Sequence, residues 1–302
     1  ASYGGNIIGD SYDAVYAINW DTGKISWRFE ATTNPYESPY VDPNGTAVSP
    51  FFTNVVIADN KVFAYNSEHT VSQPYPRGWK LFAIDATTGK GVWNITGSMS
   101  PGAMADGYIT ASNTYDGHMY VFGKGKTATT VTAPQTSVAK GTKVLIQGTV
   151  LDQSPAQRDT PCVSKESMTP QMEYLHMQHP IDGINHNIQM TGVPVALAAL
   201  AEDGSSVNIG IVTTSAYYGT YEVAWNPPTE GTYTIIASFA GDESYGSSAA
   251  STGLIVGPAP TSTDTGQQQQ ITVPDYTLTI VGMGIAIMIV VAIVGVLIYR
   301  KK

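Results

Sequence analysis

Cysteine is almost missing from this chain: Cys162 is the only one in 302 residues. One thiol cannot close an intramolecular disulfide, so the fold must rest on packed cores rather than on covalent staples. Charge is also sparse, at 13% of residues, and basic charge is the scarcer sign: 15 Lys and Arg stand against 24 Asp and Glu, a formal net charge of −9. Nucleic acid is therefore not an expected partner, because phosphate binding depends on clustered cations. The first residues, Ala1-Ser2-Tyr3-Gly4-Gly5, show neither a basic n-region nor an apolar h-region. For an exported chain this predicts that a leader has been removed or that more sequence precedes Ala1.

What the chain has instead is glycine, tyrosine, threonine, serine and asparagine, with 30 Gly and 18 Tyr. That palette suits strands and tight turns. The sequence predicts a mainly β protein with one C-terminal apolar segment. Residues 276–299 carry no charge, and about 20 apolar residues is the length a helix needs to cross a hydrocarbon core. Arg300, Lys301 and Lys302 follow at once, while Pro274 and Asp275 flank the other end. The expectation is a transmembrane helix at 276–299 with a cytoplasmic basic tail at 300–302, and the lipid bilayer as a partner. Gly282 and Ala286 form a small-xxx-small pair that suits helix dimerisation or simply faces lipid.

Two segments repeat. Tyr16-Ala17-Ile18-Asn19-Trp20-Asp21-Thr22-Gly23-Lys24-Ile25-Ser26-Trp27 returns as Phe82-Ala83-Ile84-Asp85-Ala86-Thr87-Thr88-Gly89-Lys90-Gly91-Val92-Trp93. Each copy reads as a strand, a tight turn in which Gly23 or Gly89 takes a positive φ, and a return strand with an inward Trp. Weaker echoes lead into each unit and reappear near 108–122. Thr22, Gly23, Trp27, Thr88, Gly89 and Trp93 form the signature. An ordinary antiparallel meander accounts for the same pattern.

These residues resemble the blade repeat of quinoprotein-like (PQQ-like) β-propellers, over roughly residues 5–123. The resemblance implies about two to three blades within 1–125, an incomplete propeller. Pro- and Tyr-rich stretches at 34–50 and 67–79 are then long loops on one rim and first candidates for ligand contact. Residues 126–256 hold about seven short alternating strands, which indicate an Ig-like β-sandwich. Residues 257–275, rich in Pro, Thr and Gln, read as a flexible stalk.

The sandwich contains an insertion at 151–192. A short helix is expected from Ser164 to Met177, capped by Ser164 or Ser167, with Met168, Met172 and Leu175 on one face and Pro180 as a stop. His176, His179, His186 and Cys162 also fall in the insertion, and His-x-x-His near a helix end is a pattern that ligates transition metals. The alternative is that Met and Leu pack the helix onto the sandwich while the histidines face water. Asn44 and Asn94 open Asn-x-Ser/Thr sequons and are candidates for glycosylation.

The domain order is similar to that of archaeal surface proteins with PQQ-like repeats, an Ig-like domain and a C-terminal anchor. That resemblance implies a non-catalytic, membrane-anchored surface protein that binds an extracellular protein or glycan. Two alternatives stand beside it. One is a tethered quinoprotein dehydrogenase using PQQ and Ca²⁺ held by a longer form; the other is an envelope-assembly scaffold.

Overall fold

The computed structural model describes residues 1–11, 14–30, 44–45, 55–66, 80–114, 116–183 and 186–259. Ala1–Ala259 forms one compact unit. Three antiparallel sheets come first. The first sheet has β1 (Ser2–Tyr3), β2 (Asn6–Asp10), β3 (Ala14–Asn19) and β4 (Ile25–Glu30), neighbours in chain order. The second has β5 (Val56–Ala58), β6 (Lys61–Asn66), β7 (Lys80–Asp85) and β8 (Gly91–Thr96), again in chain order. The third has only β9 (Met99–Ala105), β10 (Tyr108–Asn113) and β11 (Met119–Phe122).

The repeated turn has a visible cause. In the second sheet the Asp85 carboxylate accepts from the Thr87 and Thr88 amides at 3.0 and 2.7 Å and from the Thr88 hydroxyl at 2.9 Å. In the first sheet Asn19 does the same work for the Thr22 amide and hydroxyl, at 2.9 and 2.8 Å. Gly23 and Gly89 close the turns at φ 65 and 70, a conformation costly for a residue with a Cβ. Gly89 has a second reason to be glycine: a Cβ there would lie 2.6 Å from the Trp27 ring. The Trp27 indole N–H donates to the Ala86 carbonyl at 3.1 Å, so the tryptophan of the first sheet is latched over the turn of the second. Trp93 repeats the move one sheet on, lying 6.0 Å from Phe63 and 5.6 Å from Phe122 between ring centres.

Three small cores fill this region instead of one. Ile8, Val15, Ala17 and Trp27 pack against Val62, Phe82 and Ile84 between the first and second sheets. Tyr65, Leu81, Ile95, Met99 and Ala111 form one cluster between the second and third, and Phe63, Ala83 and Ile109 another. Each fully buried Leu, Ile or Phe side chain contributes about 1.5–3 kcal/mol.

The second half is a sandwich. A three-stranded sheet, β12 (Thr127–Thr132), β14 (Val144–Asp152) and β17 (Thr220–Trp225), runs in the order β12-β14-β17. It faces a five-stranded sheet built from β13 (Val138–Ala139), β15 (Pro194–Ala201), β16 (Ser206–Thr213), β18 (Gly231–Phe239) and β19 (Ser248–Gly257), in the order β13-β19-β18-β15-β16. The pairing of β13 with β19 is parallel, whereas the other pairings of the sandwich are antiparallel. One contiguous core unites both sheets, including Ile146, Val150, Val195, Leu197, Tyr233 and Ile235. Gly148 lies where β14 crosses between its neighbours: the Tyr221 hydroxyl reaches past it to the Thr130 carbonyl at 2.7 Å, and a Cβ would overlap both groups.

Two expectations are corrected here. Among the described residues the three N-terminal sheets are separate meanders that do not close into a propeller, so the resemblance to PQQ-like surface proteins and the fold it implied are not sustained. The reason is local: an aromatic-Ala-Ile strand, an Asx-stabilised Thr-Gly turn and a returning Trp specify a hairpin and its docking on a neighbour, not a ring. Nor is any helix among the described residues long and apolar enough to cross a membrane. The single helix there, α1 (Lys165–Met177), has 13 residues and contains Pro170. It is about 20 Å long against the ~30 Å of a hydrocarbon core. The stalk from residue 260 on, residues 276–299 with Gly282 and Ala286, the basic tail Arg300 to Lys302, and the loop stretches 34–43, 46–50 and 67–79 lie outside the described residues. The single-pass topology, the bilayer as partner, the surface location and the function built on them are therefore withdrawn.

Candidate functional site

Helix α1 begins at Ser164, whose backbone is extended and whose hydroxyl makes no capping bond to the helix backbone. The Ser167 hydroxyl instead accepts from the Thr191 amide at 2.8 Å, tying the helix start to the far end of the insertion. Gln178 ends the helix in the left-handed conformation, with backbone amides returning to the Glu173 and Tyr174 carbonyls.

The helix joins the two halves of the molecule. Toward the sandwich, Met168 packs on the central core and on the satellite cluster of Val163, Met190 and Ala216. Lys165 pairs with Glu243 at 2.9 Å, and each holds the other charged: the Lys165 ammonium is pushed up and the Glu243 carboxyl down. Toward the sheets, Met172 and Met177 enter the cluster of Tyr65, Leu81, Ile95 and Met99. The Thr169 hydroxyl donates to the Asn94 carbonyl at 2.7 Å, and the Thr96 amide donates to the Glu173 carboxylate at 2.8 Å. These two bonds saturate positions on β8, the last strand of its sheet. A second seam lies beside the helix. Gly125 pairs with Tyr245, its amide donating to the Ser244 carbonyl at 2.8 Å, while the Gly246 amide donates to the Gly125 carbonyl at 2.7 Å. The Tyr245 hydroxyl accepts from the Val163 amide at 3.4 Å, and burial raises that phenol well above its ordinary range.

A polar knot closes the helix end. The Tyr120 hydroxyl donates to Asp116 at 2.7 Å, the His118 amide donates to the same carboxylate at 2.8 Å, and Asn113 adds a bond at 3.2 Å. Desolvation opposes ionisation of Asp116, but the His118 amide and the Tyr120 hydroxyl outweigh it and hold the carboxyl below its usual range. Burial, then Asp116 itself, pushes the Tyr120 phenol to about 12. The His176 ring packs edge-on against Tyr120 with centres 5.6 Å apart, and burial lowers its affinity for a proton while Asp116 partly offsets this.

The structure does not bring the metal-type residues of the insertion together. His176 lies on Tyr120, His179 sits 3.5 Å from Glu173, and His186 pairs with Asp182 at 2.6 Å. Cys162 is wholly inside the sandwich core, its thiol pushed up first by burial and then by Asp152 and Asp242. Among the described residues no group of three His, Cys, Asp or Glu could hold a metal ion. The packing alternative is corrected in two respects: Met168 turns to the sandwich, but Met172 and Met177 pack on the sheets, and His176 is half-buried rather than solvated.

Asn94 stands in the strand that receives the helix. Its side-chain oxygen accepts from Lys80 at 3.3 Å and its carbonyl is taken by Thr169, while Thr96 of the same sequon is bonded to Glu173. Asn44 is exposed in a turn. Thr22, Gly23, Thr88 and Gly89 belong to the Asx-stabilised turns, and Trp27 and Trp93 to the contacts between sheets. A shallow open depression lined by Ser2, Tyr3, Gly4, Gly5, Asn6 and Trp20 shares no residue with α1 or its partners.

Sequence reasoning missed Thr169, Glu173, Gly125 and Tyr245 as the joining residues. A Thr and a Glu four apart on a helix give one polar line beside a Met pair, a signal that was present, but nothing local said which surface would receive it. No protein-family model matches this chain, and no curated protein matches it.

Proposed function

We propose that the described region is a non-catalytic structural module whose task is to hold a stack of three sheets in fixed orientation on a β-sandwich. The observation that carries this reading is the placement of α1: one helix contributes Met168 to the sandwich core and Met172 and Met177 to the sheet core, with hydrogen bonds to β8 between them. The ionisable groups with displaced pKa values named above fit the same role. Asp85 caps a turn, Asp116 ties β11 to its loop, and Tyr245 supports the seam. Groups poised for proton transfer sit near neutrality, whereas Tyr120 and Tyr245 are held protonated and Asp85 and Asp116 ionised.

The test uses the full chain with cysteines introduced at Lys24 and Ser205, exposed turn positions in the two halves. Native Cys162 is buried, so the label should go to the introduced cysteines. Pulsed electron resonance should give one narrow distance distribution, which the further change Met172→Glu broadens. A broad distribution in the chain without the Met172 change contradicts the reading.

A further inference from the structure

The three N-terminal sheets are stacked by one rule. The second sheet turns one face to the first and the other to the third, and the paired strands show which residues form the matching faces in each sheet. On the receiving face of the second sheet, Val62 pairs with Ile84, and both are wholly buried under the first sheet. On the third sheet the corresponding pair is Ile109 and Phe122, packed on the second. On the first sheet it is Ile7 and Ile18, joined across the next strand by Ile25, and this row is open to solvent. The opposite faces follow suit. Ile8 pairs with Ala17 and docks on the second sheet; Phe63 pairs with Ala83 and docks on the third. In the third sheet that pair is Thr110 and Val121, flanked by Ser112 and Met119, with Val121 62% and Met119 67% exposed.

The stack thus ends in two unlike apolar faces, a receiving face at the first sheet and a docking face at the third. Exposed apolar clusters of this kind mark association surfaces. Trp20 identifies the occupant. It stands where the second sheet has Ala86, and the smallness of Ala86 leaves room for the incoming Trp27 of the docking sheet. A docking sheet that brought its own tryptophan would collide with Trp20, which is 69% exposed. Among the described residues the third sheet carries no tryptophan and no strand after β11, so it leaves the space that Trp20 fills.

We propose that copies of this chain associate head to tail, the outer face of the third sheet in one copy seating on the Ile7, Ile18, Trp20 and Ile25 face of the first sheet in another. The contact is heterologous, so it builds a ring or an open chain rather than a two-fold dimer. Its two halves are separable by mutation. Ile18→Lys removes the receiving face, and Val121→Lys removes the docking face; neither position is buried, so both variants keep the thermal transition of the parent.

Sedimentation of the full chain should show mass rising with concentration, and each variant alone should remain monomeric over the same range. Mixed in equal amounts, the two variants should form a dimer and stop there, because the Ile18→Lys copy still has a docking face and the Val121→Lys copy still has a receiving face. A parent chain that stays monomeric overturns the proposal, and so does association unchanged by Ile18→Lys. An equimolar mixture that remains monomeric would mean that the two faces do not meet, and would overturn it too.

Discussion

The two halves of this molecule reach a packed state by different routes. The sandwich encloses one continuous core, in which Ile146, Val195, Leu197 and Ile235 from both sheets are wholly buried or nearly so. The stack has small cores between successive sheets, each sealed by a tryptophan that crosses to its neighbour. A perturbation in the sandwich is therefore shared by the whole core, whereas one in the stack is confined to the interface where it occurs. The contrast also explains why α1 is needed. A stack of small interfaces gains its fixed orientation from a helix anchored in the larger core.

The largest expected effect tests the sandwich side of that contrast. Gly148→Ala forces a methyl group into the Thr130 carbonyl and the Tyr221 hydroxyl, and should lower stability by ~3 kcal/mol, the upper range for overpacking. Chemical denaturation monitored at Trp225, in the same sheet, should show the midpoint fall for the sandwich as a whole.

Gly89→Ala and Gly23→Ala sharpen the comparison on the stack side. Both glycines have positive φ, so each substitution costs about 1 kcal/mol of backbone strain. At Gly89 the methyl group also strikes the Trp27 ring, while at Gly23 it meets nothing within 4 Å. The loss should be about 2–3 kcal/mol at Gly89 and about 1 kcal/mol at Gly23. Hydrogen exchange should place the Gly89 effect in β3, β4, β6 and β7 and leave the sandwich strands protected; equal losses at the two sites would mean the tryptophan latch carries nothing.

A pH effect should appear at the helix end. His176 has its folded-state pKa depressed by burial below the ordinary value of 6.5. For a group that gains charge on protonation, the stability is fully present above 6.5 and is lost as the pH falls from there toward the folded-state pKa. Asp116, in the turn before β11, is the charged group that acts on this ring and partly offsets its burial. His176→Phe should remove that part of the acid-side decline in melting temperature, and an unchanged slope would contradict the burial of this ring.

The smallest effect concerns Gln171, which is almost wholly buried with no partner for its side-chain oxygen. Replacing it with Leu removes an unpaired polar atom, so Gln171→Leu should be neutral or stabilising by up to about 1 kcal/mol. A clear loss would mean that this amide bonds to an ordered water.

Local structure was legible in the sequence because its causes are local. Asp85, Thr88 and Gly89 specify their turn within five residues, and the span 164–177 carried its helix as methionine spacing with a Pro at 180 beyond it. Arrangement was not legible. Whether Trp27 faces a neighbour, and which one, depends on Ala86 and Gly89, some 60 residues away in the chain. Met172 reads as an apolar helix position whether it packs on the sandwich or on Leu81 and Ile95. The histidines of the insertion suggested a ligand set from spacing alone, yet each is taken by a different partner, Tyr120, Glu173 or Asp182. The repeat misled for the same reason, because a hairpin motif states how a sheet begins and not how many sheets close around an axis.

The claim that α1 makes the stack and the sandwich one body is tested most directly by calorimetric unfolding of the full chain and of its Met172→Glu variant. Coupling through the helix predicts a single transition for residues 1–259 in the parent chain. In the variant it predicts two, the lower belonging to the stack and the upper keeping the parent's denaturation of the sandwich. Two transitions in the parent, or one unshifted transition in the variant, would contradict it.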